Sequence, residues 1–209
     1  ILIKKMLNFT HQDIMKMSKI FRLNLINSLT GYKSANLIAT KTNEKINNVA
    51  VFSSVTHLGS KPPLIGFVTR PTTVPRNTYE NILNHKYFTL NQITKSQIKS
   101  AHQTSAKYPK KISEFDKTNL DYEFKDSFKA PFVKKSPIQV GCEFLNEYVI
   151  KENGTILIVG EIKLLYIKNK LLLDDGMLQL DKGKIVTING LDGYALPKLI
   201  ERLSYARPN

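Results

Sequence analysis

Cysteine is nearly absent from this sequence, since Cys142 is the only one among 209 residues. A lone thiol excludes an intrachain disulfide and a zinc cluster built from cysteines. Its setting in IQVGCEFL is typical of a strand interior, which predicts a buried and chemically silent thiol rather than a catalytic one. A chain without disulfides fits the reducing environment of the cytoplasm.

Long apolar runs are missing as well. The longest, TILIVG at 155–160, is far below the roughly 20 residues that a membrane-spanning helix needs. The N-terminal ILIKKMLNF lacks the sustained apolar stretch and cleavage site of a secretory signal. These absences predict a soluble, cytoplasmic protein that does not bind membranes.

The common catalytic signatures are also absent. The sequence contains no GxGxxG after a strand, no P-loop and no GxSxG. The histidines show no HxxxH or HExxH spacing, so we expect surface or structural roles for His11, His57, His85 and His102, and no metal site. Catalytic side chains stay unassigned, and the chemistry is expected to belong to a bound molecule.

Positive charge is in clear excess, with a formal net charge of +14 and a pI near 9.7. Such a charge invites a nucleic-acid interpretation, but the lysines are scattered along the whole chain and no nucleic-acid motif accompanies them. We therefore favour a solvated basic surface that attracts small phosphorylated anions over a nucleic-acid interface. A hydrophobic fraction of 42% without linkers predicts one folded domain over 1–209, including an N-terminal helical segment at 1–30.

The hydrophobic pattern predicts one helix followed mainly by strands. Ile14, Met17, Phe21 and Leu25 recur at helical spacing between Thr10 and the LTG before Gly31, a stripe typical of core packing. Further helices are expected in NTYENILNH and TKSQIKSAHQTSA. The predicted strands are ANLIATK, NVAVFSS, PLIGFVT, YFTLNQ, IQVGCEFLNEYVI, GTILIVGEIKLLYI and GKIVTING. Because strands dominate without βαβ alternation, we expect a closed or nearly closed antiparallel β-barrel with flanking helices.

Candidate anion-binding residues lie close together in the sequence, after two successive strands. Asn77, followed three residues later by Glu80, resembles the start of a capping box, which would leave Arg76 just outside a helix N-terminus. Glu80 itself disfavours an anion in that turn, and a simple cap beside a solvated arginine is an equally good interpretation of these residues. The hydroxyls and basic groups are Ser53, Ser54, Thr56, Thr69, Arg70, Thr72, Thr73, Arg76, Asn77 and Thr78.

Several motifs, in order and over residues 30–195, resemble the flavin reductase-like, FMN-binding split-barrel family. Val51 departs from the proline usual in the family, and Lys33-Ser34 departs from Arg-Pro. The resemblance implies a split β-barrel of the Greek-key type. The motifs are NVAVFSSVTHLGSKPPLIGFV, RNTYENI, YFTLN, SAKYPKKISEFDKTNL, KAPFVKKSPIQVGCEF, VGEI, DDGMLQLDK and NGLDGYALP.

The resemblance also implies the cofactor, FMN, and the residues that hold it. Thr69 and Arg70 would lie along the ribityl or isoalloxazine group, and Asn91 and Lys33 are weaker candidates. One wall of the site would consist of Asn48, Ser53, Ser54 and Val55, and the other, around the phosphate, of Arg76, Asn77, Thr78 and Asn81.

The function implied is that of an oxidoreductase, in which NADH or NADPH delivers a hydride to FMN and the protein supplies orientation and shielding from water. The alternative is a flavoredoxin-like electron carrier that binds FMN and never uses NAD(P)H directly. A monooxygenase or another redox protein would receive the electrons. Family members form homodimers with the flavin near the subunit interface, so a homodimer is expected. A basic β-barrel that binds nucleic acid is the third and weakest hypothesis.

Overall fold

The computed structural model of the chain describes residues 6–208. The helices are α1 (His11–Lys16), α2 (Lys19–Ser28), α3 (Asn77–His85), α4 (Ile98–Gln103) and α5 (Glu114–Lys117), with 3-10 turns at Lys95–Gln97 and Asn169–Leu171. The strands are β1 (Lys33–Ser34), β2 (Asn36–Lys41), β3 (Asn47–Phe52), β4 (Thr56–Ser60), β5 (Pro63–Thr69), β6 (Tyr87–Gln92), β7 (Tyr122–Glu123), β8 (Phe132–Val133), β9 (Ile138–Ile150), β10 (Thr155–Ile167), β11 (Thr187–Asn189) and β12 (Gly193–Ala195).

The main sheet has seven strands in the order β3-β2-β6-β9-β10-β5-β4, and every neighbouring pair is antiparallel. Its longest element is the hairpin of β9 and β10, which pair from Ile138 with Ile167 to Ile150 with Thr155. A small sheet of β1, β11 and β12 and the two-stranded β7–β8 ladder accompany it.

The two edges of the seven-stranded sheet follow each other in the chain, because only Ser53–Val55 separates β3 from β4. A link of this length spans at most about 15 Å when fully extended, whereas seven flat strands would hold their edges about 29 Å apart. The sheet must therefore curl until its edges approach each other. The result is an open barrel whose seam is crossed by residues 53–55.

The core has two parts that share strand β2. Ile38 points into the barrel interior with Phe67, Phe88 and Ile82 of α3. Leu37 and Ala39 point to the other face of β2. They pack outside the barrel, in a cluster that includes residues of α4, α5, β8 and β11. Burial on both faces explains why the strand lacks the apolar–polar alternation of a half-exposed antiparallel strand.

Most predicted strands and helices are confirmed, including α3 over Asn77–His85 and the long hairpin. The prediction of one helix from Thr10 is wrong, because the chain turns extended at Met17 and Ser18 caps a second helix by accepting from the Phe21 N–H at 3.4 Å. The prediction that its apolar stripe packs in the core is also wrong, since neither α1 nor α2 contains a buried residue. Strand β4 was not predicted, because THLGS is short and mostly exposed at the sheet edge.

Gly160 brings the backbone of β10 close to the core, at a bulge where the register with β9 shifts. A Cβ on Gly160 would lie 2.6 Å from Cζ of Phe88, a fully buried ring. Overpacking of this kind costs about 1–3 kcal/mol, so we expect Gly160→Ala to lower the free energy of unfolding by that amount. Urea unfolding monitored by circular dichroism measures it.

The matched control for Gly160 is the same substitution in a Phe88→Leu background. Since leucine removes the ring edge that the new methyl group would meet, the additional loss caused by Gly160→Ala should shrink there. An equal loss in both backgrounds would mean that contact with Phe88 is not the reason for this glycine.

Candidate functional site

The hydroxyls that follow β3 lie at the barrel seam, in the Ser53–Val55 link. The Ser54 hydroxyl donates to the Val68 carbonyl at 2.9 Å and accepts from the Val68 N–H at 3.0 Å, so it joins the link to β5. The Val55 carbonyl accepts from the Ser34 hydroxyl at 3.1 Å, and its side chain packs against the barrel core. Ser53 lies half-buried beside them.

The seam leads directly to two arginines. Strand β5 ends at the buried Thr69, directly after Val68. The next residue is the exposed Arg70. Arg76 is half-buried, and its Nε donates to the Pro71 carbonyl at 3.2 Å. Burial lowers the pKa of Arg76, and the positive charge of Arg70 lowers it further. Because the charge of Arg70 disfavours the charged form of Arg76, an anion bound beside them would relieve that repulsion.

The start of α3 adds to this positive region. Arg76 occupies the N-cap position with extended backbone angles (φ −127°, ψ 90°), and its side chain makes no capping hydrogen bond. The N–H groups of the first turn have no helical partner, as at every helix N-terminus. With Asn77, Thr78 and Tyr79 providing these N–H groups beside Arg76, the start of this nine-residue helix favours an anion such as a phosphate.

The predicted capping box at this helix start is wrong. Asn77 is the first helical residue rather than the N-cap. Glu80 instead accepts a hydrogen bond from Lys110 Nζ at 2.6 Å, as an ion pair on the protein surface. That pairing offsets the acidic charge that disfavoured an anion in the first turn of α3.

Three of the predicted site residues belong to a buried polar network beneath the start of α3. Asn48 Oδ1 accepts hydrogen bonds from the hydroxyls of Thr78 at 3.2 Å and Thr40 at 3.3 Å. Asn81 Nδ2 donates to Thr40 Oγ1 at 2.9 Å. Asn48 Nδ2 donates in turn to Glu114 Oε2 at 2.6 Å, and all five residues are buried. The network ties the first two turns of α3 to β2, β3 and α5.

Glu114 is the member of this network that sequence reasoning missed. It is 5% exposed, and its Oε2 also accepts from the Val49 N–H at 3.2 Å. Burial raises the pKa of Glu114, and the hydrogen bonds from its own backbone, Val49 and Asn48 lower it only in part. The position of Glu114 between the α5 cap Ser113 and the apolar Phe115 is only a weak sequence signal that the glutamate is buried. No sequence spacing links Glu114 to Asn48.

The two weaker candidates are engaged inside the protein. Asn91 is fully buried; its Nδ2 donates to the Leu37 carbonyl at 3.1 Å and its Oδ1 accepts from the Val133 N–H at 3.0 Å. Lys33 Nζ donates to the Asn27 carbonyl at 2.8 Å and so connects β1 with α2.

Cys142 lies in β9, fully buried, and burial raises the pKa of its thiol to about 12. A thiol with such a pKa stays protonated at neutral pH and is a poor nucleophile. Within residues 6–208, no group of three or more His, Cys, Asp or Glu side chains could hold a metal ion. In that same range, the helices are all too short or too polar to cross a bilayer.

Comparison with known proteins agrees with this architecture. The model of the flavin reductase like domain matches residues 31–183. A crystal structure from Shewanella frigidimarina NCIMB 400, assigned as a flavin reductase with split barrel domain, is 39% identical with a TM-score of 0.93, over 96% of this chain and 100% of that chain. The expected split-barrel fold is therefore confirmed.

More distant structures share the fold. Nitrilotriacetate monooxygenase component B from Bacillus cereus is 18% identical with a TM-score of 0.82, over 95% of this chain and 99% of that chain. Flavoredoxin of Desulfovibrio vulgaris (Miyazaki F) is 19% identical with a TM-score of 0.70, over 84% of this chain and 91% of that chain.

Proposed function

The chain belongs to the flavin reductase-like family, and from that premise we propose that it is an FMN-binding oxidoreductase that takes a hydride from NADH or NADPH. The observation that carries the proposal is the positive region formed by Arg70, Arg76 and the start of α3, next to the barrel seam. Two guanidinium groups and free backbone N–H groups fit the phosphate of FMN.

We assign the phosphate contacts to Arg76, Arg70 and the backbone N–H groups of Asn77 and Thr78. The side chain of Thr78 has another role, because its hydroxyl donates to Asn48. Ser53, with Val55 and Thr69, would line the ribityl and ring portions where the seam meets the end of β5. Asn48 and Asn81 would support this wall from behind, through the buried network.

FMN, when bound, supplies the chemistry of accepting a hydride and passing electrons on. The residues of this chain bind the phosphate, orient the cofactor and limit the access of water to it. No side chain of the candidate site is required to act as an acid or a base, which fits a site built from arginines, hydroxyls and amides. A monooxygenase or another redox protein is the proposed recipient of the electrons, in line with the Bacillus cereus neighbour, which is a monooxygenase component B.

We further propose that the protein is a homodimer. Apolar side chains along α1 and α2 are exposed, with Met15 at 57% and Ile20 at 73%, and Leu29 just after α2 is 68% exposed. The C-terminal segment, which has no regular secondary structure, exposes Ile200, Leu203 and Tyr205 at 95%, 81% and 90%. Apolar surface of this extent marks an interface, and a second copy of the chain is the occupant that the family resemblance implies. The dimer would also cover the flavin ring, which a small barrel leaves poorly enclosed.

An anaerobic titration tests the proposed activity. The purified holoprotein should lose its visible flavin absorbance when NADH or NADPH is added without oxygen, with one nicotinamide effective at lower concentration. Bleaching by dithionite but by neither nicotinamide would favour the flavoredoxin-like carrier instead. A protein that binds no flavin at all would exclude both.

Arg76→Ala tests the phosphate site. A charge-assisted hydrogen bond contributes about 1.5–3 kcal/mol, so the affinity for FMN should fall about tenfold to a hundredfold. Riboflavin lacks the phosphate, and its affinity should hardly change. Fluorescence titrations of both flavins measure this difference.

Lys163→Ala is the matched control for Arg76→Ala, because Lys163 is a surface cation paired with Glu161 and Glu143, outside both the candidate site and the exposed apolar segments. It should bind both flavins as the wild type does. Equal losses for FMN and riboflavin in Arg76→Ala would show that Arg76 is not a phosphate ligand.

The dimer is tested by mass in solution. Light scattering should give twice the chain mass of 23.8 kDa. Ile20→Ser combined with Leu203→Ser should shift the protein towards monomer, since both side chains are exposed in the single chain. Leu172→Ser, which alters an exposed leucine outside these two segments, should leave the mass unchanged. A monomer mass for the wild-type holoprotein would contradict the proposal.

A further inference from the structure

We propose that Glu114 is a positioning residue of the flavin site, which orients the first turn of α3 towards the phosphate through Asn48 and Thr78. This inference rests on the proposed function, because it concerns the phosphate contacts of that site. Glu114 is separated from Asn48 by 66 residues in the chain and is joined to it by a hydrogen bond of 2.6 Å.

The direction of the hydrogen bonds carries the argument. A carboxylate only accepts, so Glu114 obliges Asn48 to present its NH₂ group to Oε2. The carbonyl oxygen of the same amide must then face the opposite way, where it accepts from the hydroxyl of Thr78 at 3.2 Å. One buried acceptor thus determines the orientation of an amide and, through it, of a side chain in the first turn of α3.

Thr78 is the second helical residue of α3 and supplies one of the N–H groups assigned to the phosphate. Its hydroxyl donates a hydrogen bond to Asn48 Oδ1, and this bond fixes the position of the first turn of the helix. Asn81, one turn further along, is held through Thr40, whose hydroxyl donates to the same Asn48 oxygen. Both anchors of the helix therefore depend on the orientation of one amide group.

Burial of Glu114 costs free energy of folding, so stability alone does not explain a glutamate at this position. A buried carboxylate loses hydration that its hydrogen bonds only partly restore, and an apolar residue often stabilises such a position as well or better. An apolar residue could not orient Asn48. A glutamate at 5% exposure therefore fits a role in fixing the geometry of the network.

The experiment compares the affinities for FMN and riboflavin of variants of the whole 209-residue chain. Glu114→Ala leaves Asn48 free to rotate, so FMN affinity should fall about tenfold, by loss of well-oriented charge-assisted contacts, while riboflavin affinity stays within about twofold. Glu114→Gln keeps an oxygen that can accept from Asn48 and Val49, and it should restore FMN affinity to within about threefold of wild type.

Thr78→Val cuts the connection on the helix side of Asn48 and should produce the same selective loss of FMN affinity. In the double variant Glu114→Ala/Thr78→Val the two losses should not add, because both act through one hydrogen-bonded chain. If Glu114→Ala does not fold, Thr78→Val still tests the proposed connection between Asn48 and α3. Wild-type FMN affinity in Thr78→Val would overturn the proposal.

Thr104→Val is the matched control. Thr104 is equally buried and also binds β3, where its hydroxyl accepts from the Val51 N–H at 2.9 Å, but that hydroxyl donates to the Ala101 carbonyl and not to Asn48. It should lower the thermal midpoint without changing the ratio of FMN to riboflavin affinity. Equal losses of both flavins in Glu114→Ala would overturn the positioning role alone, whereas absence of FMN binding in the wild type would overturn the proposed function as well.

Discussion

The short Ser53–Val55 link is the constraint on which the rest of the structure depends. It joins the two outermost strands of a seven-stranded antiparallel sheet, so the sheet can form only if it curls into a barrel. The curl brings the end of β3 beside the end of β5, where Ser54 bonds to both backbone polar groups of Val68. Arg70 and α3 follow along the chain, and hydroxyls, guanidinium groups and a helix start therefore meet at one place.

Around this seam, polar residues are divided between two tasks. Arg70 and Arg76 lie towards the surface, where burial and the charge of Arg70 lower the pKa of Arg76, and these are the groups that we propose to bind the phosphate. Asn48, Thr78 and Asn81 are buried and take part in one hydrogen-bond network with Thr40. Asn48 connects that network to the carboxylate of Glu114. A site for a charged ligand needs both parts, because ligand contacts are strong only when their supports hold them in a fixed orientation.

The excess of positive charge and the exposed apolar side chains act at a larger scale. With 31 basic against 17 acidic residues, the whole surface attracts anions, but the lysines are spread too widely to define a ligand. In the proposed site, specificity for the ligand would come from the few groups that the fold brings together. The exposed apolar side chains have the opposite character: no sequence motif marks them, yet those on α1, α2 and residues 199–205 are largely exposed in the single chain.

Local pattern alone determined the long hairpin, the strands β2, β5 and β6, and helix α3, because each is a contiguous segment whose own residue types favour that structure and whose ends are marked by turn residues. The same reasoning failed at Ser18, which ends one helix and caps the next inside an unbroken apolar stripe. The motif resemblance pointed to Asn48, Thr78 and Asn81. Only the tertiary structure decided that Asn48 bonds to Glu114 and Thr78, and that Asn81 bonds to Thr40. Partners so distant in sequence are chosen by how strands and helices pack, and no property of a residue's own neighbours records that choice.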